Sequence, residues 1–272
     1  MPVLINELYY LSLNEFTYFS RYLFFMSNLV IVPTYNEKEN IEALIKAIFS
    51  LSVPFEILII DDNSPDGTAS IVKDLQSVHN NLHLVERPGK MGLGTAYITG
   101  FSWALERGYK YIFEMDADFS HDPNDLVRLF NTCNNGSTDV SIGSRYVSGV
   151  NVINWPLSRV LMSYMASIYV RIITGMKIKD TTAGFICYKK EVLENIKPLR
   201  IKSRGYCFQI EMKFVAWKLG YKLVEVPIIF TDRKQGASKM SGGIFSEALY
   251  GVLRMKLRSF FIRYKRQGVG KS

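Results

Sequence analysis

From Leu29 to Gly143, short apolar runs alternate with segments whose apolar residues recur at helical spacing, and that alternation admits few folds. Leu29-Val30-Ile31-Val32, Phe55-Glu56-Ile57-Leu58-Ile59-Ile60, Leu82-His83-Leu84-Val85, Tyr111-Ile112-Phe113-Glu114-Met115 and Val140-Ser141-Ile142-Gly143 read as strands. Aliphatic runs of this length suit strands covered on both faces. Between them, Ile41, Leu44, Ile45 and Ile48 form one helical stripe, and Ala69, Ile71, Val72 and Leu75 another. Further helices are expected from about Thr95 to Arg107 and around Leu126 to Phe130, and Asn36 with Glu39 predicts a capping box before the first helix. Strands alternating with helices imply an α/β fold, a Rossmann-like, mostly parallel sheet flanked by helices. Such sheets bind ligands beyond the carboxyl ends of their strands, where Tyr35, Asp62 and Asp116 fall.

The second half follows another pattern. Residues 151 to 176 are a long apolar and aromatic stretch interrupted by Arg159 and Arg171. Phe208 to Leu219 reads as a helix and Leu223-Val224-Glu225-Val226 as a strand. Asp232 to Gly243 is a polar loop of Gly, Ser and Lys, suited to a lid. After Glu247 there is no acidic residue, whereas Arg254, Lys256, Arg258, Arg263, Lys265, Arg266 and Lys271 are basic. These account for most of the net charge of +8, so the rest of the chain is close to neutral and offers no nucleic-acid groove. Large apolar residues interleaved with the basic ones, among them Leu253, Leu257, Phe260 and Phe261, are the mix of a segment lying on an anionic membrane.

No run approaches the roughly 18 uninterrupted apolar residues that span a bilayer. The nearest, Val160 to Val170, lies between two arginines. The first 25 residues are rich in Tyr, Phe and Leu but lack a basic leader and a cleavage site. Either they form a further interfacial helix or the natural start is Met26. The expected organisation is an apolar extension over 1–27, an α/β domain over 28–243 and a basic amphipathic tail over 244–272. Cys133, Cys187 and Cys207 have no paired or metal-binding spacing, which fits a reducing compartment.

Asp116-Ala117-Asp118 follows directly on a strand, with both carboxylates leaving on one face. Like charges so placed are favourable when a divalent cation sits between them, its shell completed by substrate phosphates and water. The plainer reading is a surface turn. Asp62 either contacts a base or ribose or caps the turn Asn63 to Gly67. Arg145, Arg233 and Lys239 are candidates for phosphate, or are solvated charges. The glycines at 89, 92 and 94 match neither the P-loop nor the dinucleotide fingerprint; they read as a tight loop opening the next helix. His79, His83 and His121 show no triad or metal spacing. Glu211 is either a partly buried helix carboxylate or a sugar-facing group.

Several segments together carry a resemblance. Val32-Pro33-Thr34-Tyr35-Asn36-Glu37, Ile60-Asp61-Asp62-Asn63-Ser64-Pro65-Asp66-Gly67-Thr68, Met115-Asp116-Ala117-Asp118 and Gly143-Ser144-Arg145-Tyr146 stand in that order. Asp180-Thr181-Thr182-Ala183-Gly184-Phe185, Gly205 to Glu211, and Asp232-Arg233-Lys234 leading to Ser238-Lys239 follow. Over roughly residues 28 to 245 the chain resembles the inverting family 2 glycosyltransferases of GT-A fold, and among them the dolichol- and polyprenol-phosphate mannose synthases without transmembrane helices. The resemblance implies that Pro33, Tyr35, Glu37, Ile60, Asp62, Asp116, Ala117, Asp118, Gln209 and Glu211 surround the nucleotide sugar. It implies Asp116 and Asp118 as ligands of Mg²⁺ or Mn²⁺, with Ser120 where some members place a third, glutamine ligand. It implies Asp118, Arg145, Arg233 and Lys239 as the catalytic set, the three basic residues gripping the acceptor phosphate.

The implied reaction moves mannose from GDP-mannose to a polyprenyl phosphate at the cytoplasmic face of a membrane, with or without a small anchoring subunit. A lipid phosphate is already anionic and needs no general base, which suits a site of Asp, Arg and Lys. The alternatives are UDP-glucose or another sugar nucleotide as donor, a polysaccharide hydroxyl acceptor with Glu211 as base, and a non-catalytic nucleotide-binding scaffold.

Overall fold

The computed structural model describes residues 27–199, 201–203, 205–232 and 244–266. Apart from Ser27, the apolar extension lies outside them. The first half runs β1 (Asn28–Thr34), α1 (Ile41–Phe49), β2 (Glu56–Asp61), α2 (Thr68–Gln76), β3 (Leu82–Glu86), α3 (Leu93–Glu106), β4 (Tyr111–Glu114), α4 (Asp125–Asn134) and β5 (Val140–Ser144). There follow β6 (Val152–Ile153), α5 (Leu157–Thr174), β7 (Ile186–Lys189), α6 (Lys190–Ile196), α7 (Tyr206–Lys218), β8 (Leu223–Pro227), β9 (Phe230–Thr231) and α8 (Ile244–Ser259). A 3₁₀ turn (Lys197–Leu199) follows α6.

The main sheet has the order β3-β2-β1-β4-β7-β5-β8. All its pairings are parallel except those of β7, which runs antiparallel to both β4 and β5. The alternating pattern predicts parallel strands, and nothing in the four residues of β7 announces its reversal. Side chains alternate across the sheet as strand geometry requires. Leu29, Ile31, Leu58, Ile60 and Ile112 pack with α3, α6 and α7 on one face. Val30, Val32, Ile57, Ile59 and Phe113 pack with α1, α2 and α4 on the other. Each such buried aliphatic residue contributes roughly 1.5–3 kcal/mol, which is why β1 and β2 read as unbroken apolar runs.

Two local expectations change. The capping box of Asn36 and Glu39 does not form: Asn36 adopts φ 58° and α1 begins at Ile41. The carbonyl of Glu37 instead receives the N–H groups of Asn40 and Ile41. The stretch 151–176 divides into the short β6 and the 18-residue α5. No described helix is long and apolar enough to cross a membrane.

A third apolar cluster joins α5, α7 and α8 through Val170, Cys207, Ile210, Phe214, Val252 and Met255. Gly251 lets α8 approach closely, because a Cβ there would stand 2.7 Å from the Cys207 sulfur. The Tyr169 hydroxyl donates to the Leu249 carbonyl (3.1 Å), tying α5 to α8. Beyond α8, Arg266 donates to the Leu219 carbonyl (2.8 Å) and holds the chain against the end of α7.

Candidate active site

Because β1 to β5 run in one direction, their carboxyl ends form a single edge. The reversed β7 enters at that edge, so the loop 180–185 joins it. Pro33 and Ile60 are register partners in β1 and β2, and the next pair, Thr34 and Asp61, is cross-linked by a 2.8 Å hydrogen bond from the Thr34 hydroxyl. Beyond the strands the two loops are fastened together. The backbone N–H groups of Asn36, Glu37 and Lys38 donate to Ser64 Oγ, Thr68 Oγ1 and Asp66 Oδ2, each at 3.0 Å. Burial would raise Asp66, but the Lys38 N–H bond and those from Thr68 outweigh it and hold the acid below the ordinary carboxylate range. Tyr35, Glu37 and Asp62 therefore stand on one braced platform.

Asp62 does not cap its turn; Asp61 does, accepting from the Ser64 N–H (2.8 Å) and hydroxyl (2.6 Å). Asp62 instead accepts from Arg87 Nε at 2.6 Å, and Arg87 also donates to Thr95 Oγ1 at 2.8 Å. That links the exits of β2 and β3 to the start of α3. Gly92, at φ 99°, turns the intervening loop, and its carbonyl receives the first N–H groups of α3, as a glycine-permitted opening requires. The Lys90 ammonium lies 5.0 Å from the Tyr35 ring centre.

At the exit of β4, Ala117 and Asp118 are buried and Asp116 is half-buried. Phe119 takes φ 56°, unusual for a bulky residue. This turn folds the Ser120 N–H back onto Asp118 Oδ1 (3.1 Å), while the Ser120 carbonyl accepts from the Thr231 N–H (3.1 Å). The strained turn thus fixes Asp118 and brings β9 against it. Below the pair, Glu114 is fully buried and receives Gln209 Nε2 at 2.6 Å. Burial raises its pKa to about 8, with Asp116 adding to the rise and the Gln209 bond and Lys213 opposing it. The rise favours the neutral acid and so lessens the negative charge beside the aspartates. Two carboxylates at one strand exit form an all-oxygen, incomplete donor set, which fits a hard divalent cation whose remaining positions go to substrate and water. Among the described residues no cluster of three or more His, Cys, Asp or Glu offers a complete protein cage.

The cationic wall lies across this edge. Arg145, one residue beyond β5, is buried and forks onto Asp180, with Nε to Oδ2 and Nη2 to Oδ1 both at 2.7 Å. Its Nη2 also donates to Thr182 Oγ1 at 2.8 Å. Burial alone would raise Asp180, but the charge and hydrogen bonds of Arg145 outweigh it and hold the acid below its ordinary range. Tyr146, Trp155 and Phe230 surround the guanidinium at 5.2, 5.4 and 5.6 Å from their ring centres. Arg159 stacks on the same Trp155 at 4.1 Å and pairs with Asp232 at 3.0 Å. The Trp155 indole nitrogen is buried and has no hydrogen-bond partner among the described residues. Two guanidinium groups gathered on one tryptophan make a surface suited to an anion.

His121 stacks on Phe185 at 4.7 Å and meets Phe230 edge-on at 5.3 Å. Burial lowers its pKa to about 4, outweighing the pull of Asp118 and Asp180, and Arg145 adds to the fall. The Glu211 carboxylate accepts from the N–H groups of Lys202 (3.1 Å) and Ser203 (2.8 Å) and lies 3.6 Å from Arg258 Nη1. Arg233 and Lys239 lie outside the described residues; Asp232, just before them, is held beside Arg159.

The structure thus brings together Pro33, Tyr35, Glu37, Ile60, Asp62, Asp116, Ala117, Asp118, Ser120 and Arg145 on one edge, with Gln209 beneath it. Sequence reading assigned no role to Arg87, Arg159 or Asp180. Arg87 had a readable signal, since it follows β3 as Asp62 follows β2. Asp180 had none, because its place depends on the reversal of β7.

A profile of glycosyl transferase family 2 matches residues 29–197. The chain is 45% identical over 231 residues to a polyprenol monophosphomannose synthase of Mycolicibacterium smegmatis, covering 85% of this chain and 87% of the relative. It is 43% identical over 232 residues to an undecaprenyl-phosphate mannosyltransferase of Micrococcus luteus, covering 85% of this chain and 95% of the relative. The structure of glucosyl-3-phosphoglycerate synthase from Mycobacterium tuberculosis with Mn²⁺, UDP and phosphoglyceric acid superposes with a TM-score of 0.64 at 14% identity, covering 85% of this chain and 78% of that one. The chain has the GT-A fold and belongs to glycosyltransferase family 2.

Proposed function

We propose that this enzyme transfers mannose from GDP-mannose to a polyprenyl phosphate, with inversion at the anomeric carbon. The observation that carries the reading is the meeting of a carboxylate pair and a clamped arginine on one sheet edge, in a chain 45% identical to a polyprenol monophosphomannose synthase. Tyr35, Glu37 and Asp62, with Pro33 and Ile60 behind them, would receive the nucleotide. Asp116 and Asp118 would hold Mg²⁺ or Mn²⁺, with Ala117 between them and Ser120 bracing Asp118 through its backbone. When bound, the metal neutralises charge on the leaving diphosphate.

The acceptor oxygen attacks the anomeric carbon as the bond to the diphosphate breaks. That oxygen is anionic near neutral pH and needs no base. The side chains agree with this. His121 is enclosed by Phe185 and Phe230, and Glu211 accepts two backbone N–H groups on one carboxylate oxygen. Arg145 keeps its charge and orientation through Asp180 and reduces repulsion between the two anions. Arg159 supplies a second guanidinium on the same wall, and Arg233 and Lys239 complete the grip on the phosphate.

The lipid and the membrane would lie along α5 and α8. Leu157 is 72% exposed, Ile172 76%, Tyr250 78% and Leu257 62%, on two helices packed side by side, and Phe261 just beyond α8 is 90% exposed. Exposed Arg171, Arg254 and Arg263 accompany them. Apolar side chains flanked by cations suit an anionic bilayer surface. Three free buried thiols agree with the cytoplasmic face, and an anchoring subunit is a further partner to test.

The deciding experiment supplies the purified protein with Mn²⁺, undecaprenyl phosphate and radiolabelled GDP-mannose or UDP-glucose in separate reactions. Label in the lipid extract from GDP-mannose alone is expected. Label from UDP-glucose alone changes the donor. No label from either, with the protein folded and vesicle-bound, overturns the reading.

A further inference from the structure

The loop Lys179–Ala183 carries Asp180, and two charged side chains hold it from opposite sides. Glu225, on β8 beside β5, accepts the Lys179 N–H with Oε2 and the Asp180 N–H with Oε1, both at 2.8 Å. Its Oε1 also accepts the Ser144 hydroxyl at 2.7 Å, reaching the residue just before Arg145. From the other side, Lys213 on α7 donates to the carbonyls of Thr181 (3.1 Å) and Ala183 (2.6 Å), and to Gln209 of its own helix (3.1 Å). Lys213 is fully buried. Burying an ammonium is costly, and an apolar residue would fill the same space more cheaply if packing were its only task. Its three donors answer backbone carbonyls, two of them in this loop, so the charge is spent on fixing the loop.

The loop in turn fixes Arg145. Asp180 accepts from the backbone N–H of Arg145 (2.9 Å) as well as from both edges of its guanidinium, and Thr182 takes a further bond. An acceptor on Glu225 and a donor on Lys213 thus act on one five-residue segment that orients one guanidinium. We propose that Lys213 and Glu225 are positioning residues for Arg145, so that engagement of the acceptor phosphate depends on both. This rests on the reading of Arg145 as a phosphate-gripping residue.

Glu225→Gln keeps the side chain's size but turns one acceptor into an N–H₂ group facing a backbone N–H. Lys213→Met keeps much of the volume and removes all three donors. Initial rates of the full chain are measured with undecaprenyl phosphate varied at saturating GDP-mannose, and the reverse. Misplacement of a group by about 1 Å can cost as much as about 10²-fold. A fall of about ten-fold or more in kcat/KM for the lipid, with KM for GDP-mannose changed less than about two-fold, is expected for each variant. Should Lys213→Met not fold, Glu225→Gln decides alone. Parental lipid kinetics in Glu225→Gln, or equal losses toward both substrates, overturns the proposal. An Arg145→Lys variant measured alongside separates the two readings. If it is impaired toward the lipid while the clamp variants are not, the clamp alone falls. If it is unimpaired, the phosphate reading falls and the clamp with it.

Discussion

At the scale of single residues, the site is built on carboxylates whose environments set them apart. Asp118 is held by a backbone N–H across a strained Phe119 turn, Asp180 by a guanidinium, and burial pushes the pKa of Glu114 up. Asp118→Ala is expected to lower transfer by about 10²-fold or more, the scale of losing one transition-state-stabilising group. Its circular dichroism should match the parent, and undiminished turnover would remove Asp118 from the metal role. His121 gives a pH prediction. Its folded pKa, about 4, lies below the ordinary 6.5. Above pH 6.5 both states are neutral there and no effect arises. Between 6.5 and 4 the unfolded chain binds the extra proton, so stability falls as pH falls, by up to about 1.4 kcal/mol per unit. Urea unfolding of His121→Phe over that window should show a flatter dependence than the parent.

At the scale of elements, the decisive one is β7. A strand four residues long, reversed within a parallel sheet, delivers its entry loop to the edge where the other strands end. The amphipathic helices are the second case. The mix of apolar and basic residues after Glu247 was legible, but that α8 rests on α5 and α7 was not, because the contact depends on a glycine meeting a cysteine far away in sequence. Gly251→Leu drives a side chain into Cys207. Overpacking of this kind costs about 1–3 kcal/mol. Co-sedimentation with anionic vesicles and transfer to lipid should drop in this variant, while GDP binding with Mn²⁺ stays near parental. Unchanged vesicle binding would separate α8 docking from membrane association.

At the scale of the whole molecule, charge and apolar surface lie at α5 and α8, and the carboxylates on the strand-exit edge. Vesicle binding should weaken as salt rises from about 0.05 to about 0.5 M, since screening shortens the reach of surface charges. Salt-independent binding would assign the attachment to apolar contact alone. Chelation with EDTA should abolish transfer and Mn²⁺ restore it, without a change in far-ultraviolet circular dichroism.

The sequence by itself determined the strands β1 to β5, the helices between them and the strand-exit positions of Tyr35, Asp62 and Asp116. Those follow from local periodicity, because a strand covered on both faces must be apolar throughout and its ligand-facing residues come next in the chain. The tertiary structure alone decided the reversal of β7, the pairing of Asp62 with Arg87 and Arg145 with Asp180, and the engagement of Glu211 by backbone N–H groups. Each joins segments that periodicity cannot relate. Arg145 and Asp180 are 35 residues apart, and Glu114 and Gln209 are 95. A buried charge declares its partner only when the chain between them has folded, since burial is what makes that partner necessary.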